Sequence, residues 1–139
     1  MAAPTKFNVF TTDLTNGAHN FTSHVFKVIL TNTAPVATNT VVANITEIAA
    51  GNGYTAGGLT TTVSKSNASG IEKLIFTSPT WTATGAMATF RYVVVYNSTQ
   101  TSPASPLVFW VDYGSAVSMV NTNTFTPTFD GTNGAITVG

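Results

Sequence analysis

The segment Ala88 to Asn97, read as Ala-Thr-Phe-Arg-Tyr-Val-Val-Val-Tyr-Asn, constrains the fold more than any other part of the chain. β-Branched and aromatic side chains are stiff at χ1 and suit a pleated surface. Alternation along a strand puts Phe90, Tyr92, Val94 and Tyr96 on one face and Arg91, Val93 and Val95 on the other. Leu107 to Tyr113 repeats the pattern, apolar on both faces except at Asp112. An antiparallel strand with one wet face alternates apolar with polar residues. These two strands do not, so something has to cover their second face. Two covers are expected: the N-terminal segment through Phe7, Phe10 and Leu14, or another subunit. Left bare, a charge-free window such as Tyr92 to Tyr96 is an aggregation hazard.

The other elements are short. His24 to Thr31 reads as a strand ending in the turn-forming Asn32-Thr33-Ala34-Pro35. Val41 to Ile48 fits a short helix capped by Thr40, with a strand as the alternative. Ala50 to Gly58 is a glycine-rich loop. Leu59 to Ser64 and Ile71 to Thr77 read as paired strands connected through Lys65 to Gly70. Trp81 to Thr84 is a short extended piece, and Val117 to Val120 is weakly extended. In Asn123 to Asp130, Phe125, Pro127 and Phe129 face one way, and Pro127 marks a sheet edge because it lacks an N–H. Gly131 to Gly134 is a turn before a closing strand, Ala135 to Val138. At the other end, Phe7, Phe10 and Leu14 fall at helical spacing, yet Thr11, Thr12 and Gly17 form helices weakly. Residues 1–23 are therefore expected as a short helix, with Thr5 as its cap, or an extended arm. Residues 24–139 are expected as one β-sandwich domain. Seven or eight short strands between frequent turns predict an all-β, antiparallel sandwich or jelly-roll-like fold.

Composition narrows the function classes. Charged residues make up 7% of the 139, against about a quarter in an ordinary soluble domain. Five positive and five negative side chains sum to zero, with no basic patch to displace counterions from nucleic acid. No apolar run approaches the ~18 residues of a membrane span, and Met1 to Phe7 lacks the apolar core of a secretory signal. Cysteine is absent, which removes disulfides, thiolate metal sites and a cysteine nucleophile. A surface of hydroxyls, amides and methyls suits permanent docking better than life as a dispersed enzyme.

No motif carries catalytic chemistry. Gly51-Asn52-Gly53-Tyr54-Thr55-Ala56 matches a relaxed dinucleotide fingerprint, but a strand-like sequence follows it where that motif opens a helix. His19 and His24 are two ligands at most, at a spacing that suits neither a strand face nor a helix face. Asp13, Glu47, Glu72, Asp112 and Asp130 are well separated in sequence, and Asp112 is the natural partner for the mid-strand Arg91. Asp130-Gly131-Thr132-Asn133-Gly134 lacks the distal Glu of a calcium loop and reads as a turn. Trp81 and Trp110 could stack on sugar rings, and core or interface anchoring competes with that reading. No cofactor is expected, and no enzyme.

The stretch Leu30 to Pro35 followed by Thr40 to Tyr54, with its Thr46-Glu47-Ile48-Ala49-Ala50-Gly51-Asn52-Gly53-Tyr54 element, resembles small virion structural proteins of tailed double-stranded-DNA bacteriophages. The closing Phe125 to Ile136 and the set of Trp81, Phe90-Arg91-Tyr92 and Trp110-Val111-Asp112-Tyr113 are similar to that family too. The opening departs from it, because residues 8–19 are Thr- and Asn-rich where relatives have a charged helix. The resemblance implies a β-rich component of the capsid surface or the tail, and supplies no active-site residues. The expected function is capsid decoration: a homo-oligomer, a trimer by the threefold sites of a shell, clamping major capsid protein subunits on the outer face of the virion after synthesis in the host cytoplasm. Phe7, Phe10, Leu14 and Tyr54 are the expected contact residues. A tail or fibre component is the alternative, and a carbohydrate-binding module a more distant one.

Overall fold

A computed structural model describes all 139 residues, Met1 to Gly139. The fold is all-β and antiparallel, with one short helix. Chain order runs β1 (Thr5–Lys6), α1 (Val9–Thr15), β2 (Phe26–Thr31), β3 (Leu59–Thr61), β4 (Val63–Ala68), β5 (Ile71–Phe76), β6 (Trp81–Thr82), β7 (Met87–Asn97), β8 (Leu107–Met119), β9 (Thr124–Phe125) and β10 (Ile136–Val138). Five strands form the main sheet in the order β1-β8-β7-β2-β3. A second sheet holds β10-β5-β4, and β6 pairs with β9 in a small ribbon.

The two strands richest in β-formers, β7 and β8, lie at the middle of the main sheet. One face of that sheet meets the second sheet and the ribbon in the main core. Phe76 of β5 packs edge-on against Phe26 and Phe109, at 6.1 and 5.1 Å between ring centres. Phe90 and Phe125 join the ribbon to β7 at 4.8 Å. The other face of the main sheet is covered by the chain itself. Phe7, Ile29, Val94, Tyr96 and Leu107 form a second buried cluster, roofed by Val9, Val42, Ile45 and Trp110. No second subunit is needed to keep Val93 to Tyr96 from water, and Tyr92 is half-buried.

Several expected elements are corrected. The N-terminal segment holds both expected forms, with a shifted start: Thr5 and Lys6 extend as a strand on β8, and the short helix begins after Asn8 rather than Thr5. Residues 1–23 are thereby woven into the sandwich. Val41 to Ile48 yields a 3-10 turn, Val42–Asn44, between isolated bridges of Val41 to Pro106 and of Glu47 to Thr31, because the Asn44 side chain accepts from the N–H groups of Thr40 and Val41 and closes the turn on itself. Leu59 to Ser64 is not one strand. The chain changes sheets at Thr62, so β3 pairs with β2 and β4 with β5. The connection expected from Lys65 to Gly70 shrinks to Ser69-Gly70, both at positive φ, as a tight hairpin turn demands.

Candidate functional site

Of the four expected contact residues, three lie inside the fold. Phe7 and Phe10 are buried, and Tyr54 is 3% exposed. Leu14 is half-buried against the main core. Of the segment expected to cover the second face of the main sheet, only Phe7 does so; Phe10 and Leu14, like Tyr54, pack with the main core. In this fold Phe7, Phe10 and Tyr54 present almost no side-chain surface outward.

Tyr54 instead organises its loop. Its hydroxyl donates to Glu47 Oε1 at 2.5 Å and accepts from the Leu30 N–H at 3.2 Å. The same Glu47 oxygen accepts from the Gly57 N–H at 2.6 Å, and the Tyr96 hydroxyl donates to the Gly57 carbonyl at 2.8 Å. Burial, reinforced by the hydrogen bond to Glu47, pushes the Tyr54 phenol up, out of any acid–base role near neutrality. Gly58 has φ of +74°, and a Cβ there would overlap the Val28 carbonyl. Gly58 thus lets the loop close on β2, and Gly53, where a Cβ would overlap the Thr82 carbonyl, lets it close on β6.

Trp81 offers no sugar platform, and Trp110 is half-buried. Trp81 is buried, and Phe7 occupies one face of Trp110 at 4.6 Å between ring centres. No group of three or more His, Asp or Glu side chains gathers in space. The two histidines do meet, through a residue far away in sequence. Asn97 Nδ2 lies 3.2 Å from His19 Nδ1 and 2.9 Å from His24 Nδ1. Burial first, and His24 second, hold the His19 pKa down to about 4. Nothing in the local sequence announces this cluster, because Asn97 belongs to the far end of β7.

The expected ion pair is present and shapes the surface. Arg91 Nε and Nη2 donate to the two Asp112 oxygens at 2.8 and 3.1 Å. Asp112 Oδ1 also accepts from the Gly114 N–H at 2.8 Å. These bonds hold the Asp112 carboxyl below its usual range, the Arg91 contact most of all. They brace a large bulge. From Phe90 to Tyr92 β7 advances two residues, while β8 advances five, from Asp112 to Val117. Gly114 takes φ of +100° within it. The extra length leaves Tyr113, Gly114, Ser115 and Ala116 exposed. Tyr113 is supported from below by Phe125, edge-on at 5.5 Å. The projection carries no charge and stands on the longest strand of the molecule. One signal in the sequence marked it, a lone glycine inside an otherwise strand-like run.

The fold and this surface define an all-β, antiparallel sandwich with a braced, uncharged bulge. No family model matches the chain, and neither a curated protein nor a solved structure is significantly similar to it. No helix is long and apolar enough to cross a membrane.

Proposed function

We propose that this chain is a non-catalytic bacteriophage capsid decoration protein. It attaches to the outer surface of the assembled head and stabilises it by clamping neighbouring major capsid subunits. The observation that carries the reading is the bulge at Tyr113 to Ala116, an uncharged projection with an aromatic anchor held in place by Phe125. Aromatic side chains in such settings supply much of the binding energy of protein contacts. Few charges lie on the surface, so docking desolvates few of them. Because the sandwich covers both faces of its main sheet by itself, it can be stored as a folded unit before attachment. The clamping works by mass action: a protein that binds only the finished lattice shifts the equilibrium toward that lattice. The homotrimer belongs to the proposal through the threefold positions of a shell.

Co-sedimentation with expanded heads tests the reading. Saturable binding that is lost on Tyr113→Asp, with the variant still folded, supports it. A chain that stays in solution at every concentration, or that is found on tails, overturns it.

A further inference from the structure

Strand β4 leaves an open edge. It pairs with β5 on one side and with no strand on the other. The six pairs from Val63–Phe76 to Ala68–Ile71 run without a bulge, and β4 holds no proline. Ser64 to Ala68 are all exposed. The other sheet edges are shorter: two residues in β1, three in β3 and three in β10. On β10 the Lys6 ammonium also occupies the Thr137 carbonyl, at 3.2 Å.

The hairpin fixes which backbone groups point outward. In an antiparallel pair, residues that bond across the ladder alternate with residues whose N–H and C=O point away. Ser69-Gly70 forms the two-residue turn, so Ala68 and Ile71 flank it as a bonded pair. At the other end the Thr77 N–H donates to the Thr62 carbonyl at 3.0 Å, in the same phase. Ser64, Ser66 and Ala68 therefore bond to β5, and Val63, Lys65 and Asn67 direct their N–H and C=O groups away from it. No other hydrogen bond of the fold takes those groups up. Natural edges of this kind are guarded by prolines, bulges or a lysine. Here the one guard is Lys65, and its ammonium is drawn aside to the Thr22 hydroxyl at 2.9 Å.

The residues along this edge are complementary to themselves. Two-fold pairing of β4 with a second β4 is antiparallel and sets outward-pointing residues against each other. Centred on Lys65, it brings like charges face to face, which destabilises. Centred on Ser64, it runs back past Thr62 into β3, which belongs to the main sheet. Centred on Ser66, it uses Ser64 to Ala68, the whole exposed run, and sets Lys65 opposite Asn67 of the second copy. Within each copy Asn67 Nδ2 donates to Glu72 Oε2 at 2.9 Å. Lys65 and the second copy's Glu72 then share a face two strand spacings apart, about 10 Å between backbones, within the joint reach of the two side chains. Each copy offers one cation and one anion there, and the two-fold axis matches them twice.

We propose that a second copy of this chain docks on the open edge, β4 against β4 in the register centred on Ser66, joining two three-stranded sheets into one of six strands. About four backbone hydrogen bonds with no apolar core make a weak contact, with a dissociation constant of about 1 mM in solution. Where copies are held side by side, the effective concentration reaches that range and the contact forms. It uses none of Tyr113 to Ala116, so it goes beyond the capsid reading, and either can fail without the other.

The test is a concentration series of the purified full chain in ¹H–¹⁵N spectra, from about 0.05 to 5 mM, which brackets the expected constant. The Lys65 and Asn67 amides should shift saturably and exchange more slowly with solvent as concentration rises. Those of Ser64, Ser66 and Ala68, already bonded to β5, should keep their protection. Lys65→Pro removes an outward N–H and no bond of the β4–β5 ladder, so it should abolish the dependence. Asn67→Lys keeps a side chain for Glu72 to pair with in its own hairpin but sets lysine against lysine across the two-fold axis, and should weaken self-association about tenfold. No concentration dependence at the Lys65 and Asn67 amides up to about 5 mM overturns the proposal. So does self-association that Asn67→Lys leaves unchanged, because the contact would then lie elsewhere.

Discussion

Replacing Phe7 by Ala removes the centre of the roof over the second face of the main sheet. Phe7 is 1% exposed and packs at a tilt against Trp110, within the cluster of Ile29, Val94 and Leu107. Truncating a buried Phe costs about 3–5 kcal/mol, from lost transfer energy plus the cavity left behind. The roof is thin here: Val9, Val42 and Ile45 are only half-buried and can settle into the gap. That places the transfer and cavity cost near the lower bound, about 3 kcal/mol. The lost aromatic pair with Trp110 adds up to about 1 kcal/mol. A domain of this length would then melt about 10 °C lower, and stay folded at room temperature if its total stability is in the usual range of about 5–15 kcal/mol. Urea unfolding, followed by the fluorescence of Trp110 and Trp81 at two protein concentrations, measures it. The account expects the same loss at both. A loss under about 1 kcal/mol refutes the reasoning. So does a loss that appears only as dissociation of an oligomer, because the cover would then come from a second copy.

Other outcomes follow from the same geometry. His19 has its pKa lowered from 6.5 to about 4 in the folded state, so the unfolded chain binds the extra proton first. Its contribution is complete above about pH 6.5 and is lost as pH falls toward 4, up to about 3 kcal/mol. Buried Asp13, its pKa raised by desolvation, works in the opposite sense through the carboxylate range. Subtracting the pH–stability curve of His19→Gln isolates the histidine; a difference curve flat between pH 4 and 7 contradicts the assignment. Tyr54→Phe strips a partner from Glu47 and from the buried Leu30 N–H, and should cost about 2 kcal/mol in chemical denaturation without weakening attachment to heads. Asp112→Ala should speed amide exchange at Gly114 and reduce head binding, since the carboxylate braces the bulge. Attachment of the unaltered protein should change little between 50 and 500 mM salt, whereas a steep dependence would point to a charged interface.

Much of the fold was legible where pattern and packing agree. The two long strands and the inward set of Phe125, Pro127 and Phe129 follow from alternation, although only Thr124–Phe125 forms a ladder, and the Arg91–Asp112 pair follows from the need of a mid-strand arginine for an acid where charges are few. Alternation failed where it was interrupted. Phe90 was expected to share a face with Tyr92, Val94 and Tyr96, yet it enters the main core with Val93 and Val95. The bulge between Phe90 and Tyr92 flips the register, as one irregularity does in a period of two. Strand β4 was hidden for another reason. Ser64 to Ala68 are exposed, so no apolar rhythm reveals the strand. The candidate surfaces were the least legible. Apolar residues announce that they will be covered, not by what, and the covering of Phe7 and Tyr54 proved to be intramolecular. The His19–Asn97 contact joins residues 78 apart, which no local rule relates.

The capsid reading is tested most directly by a density map of intact phage particles to which this chain has been added. The account predicts the sandwich on the outer surface of the head, three copies around threefold positions, with Tyr113 to Ala116 pressed against the major capsid protein. Density for the chain confined to the tail, or heads that carry no copy of it, would contradict the account.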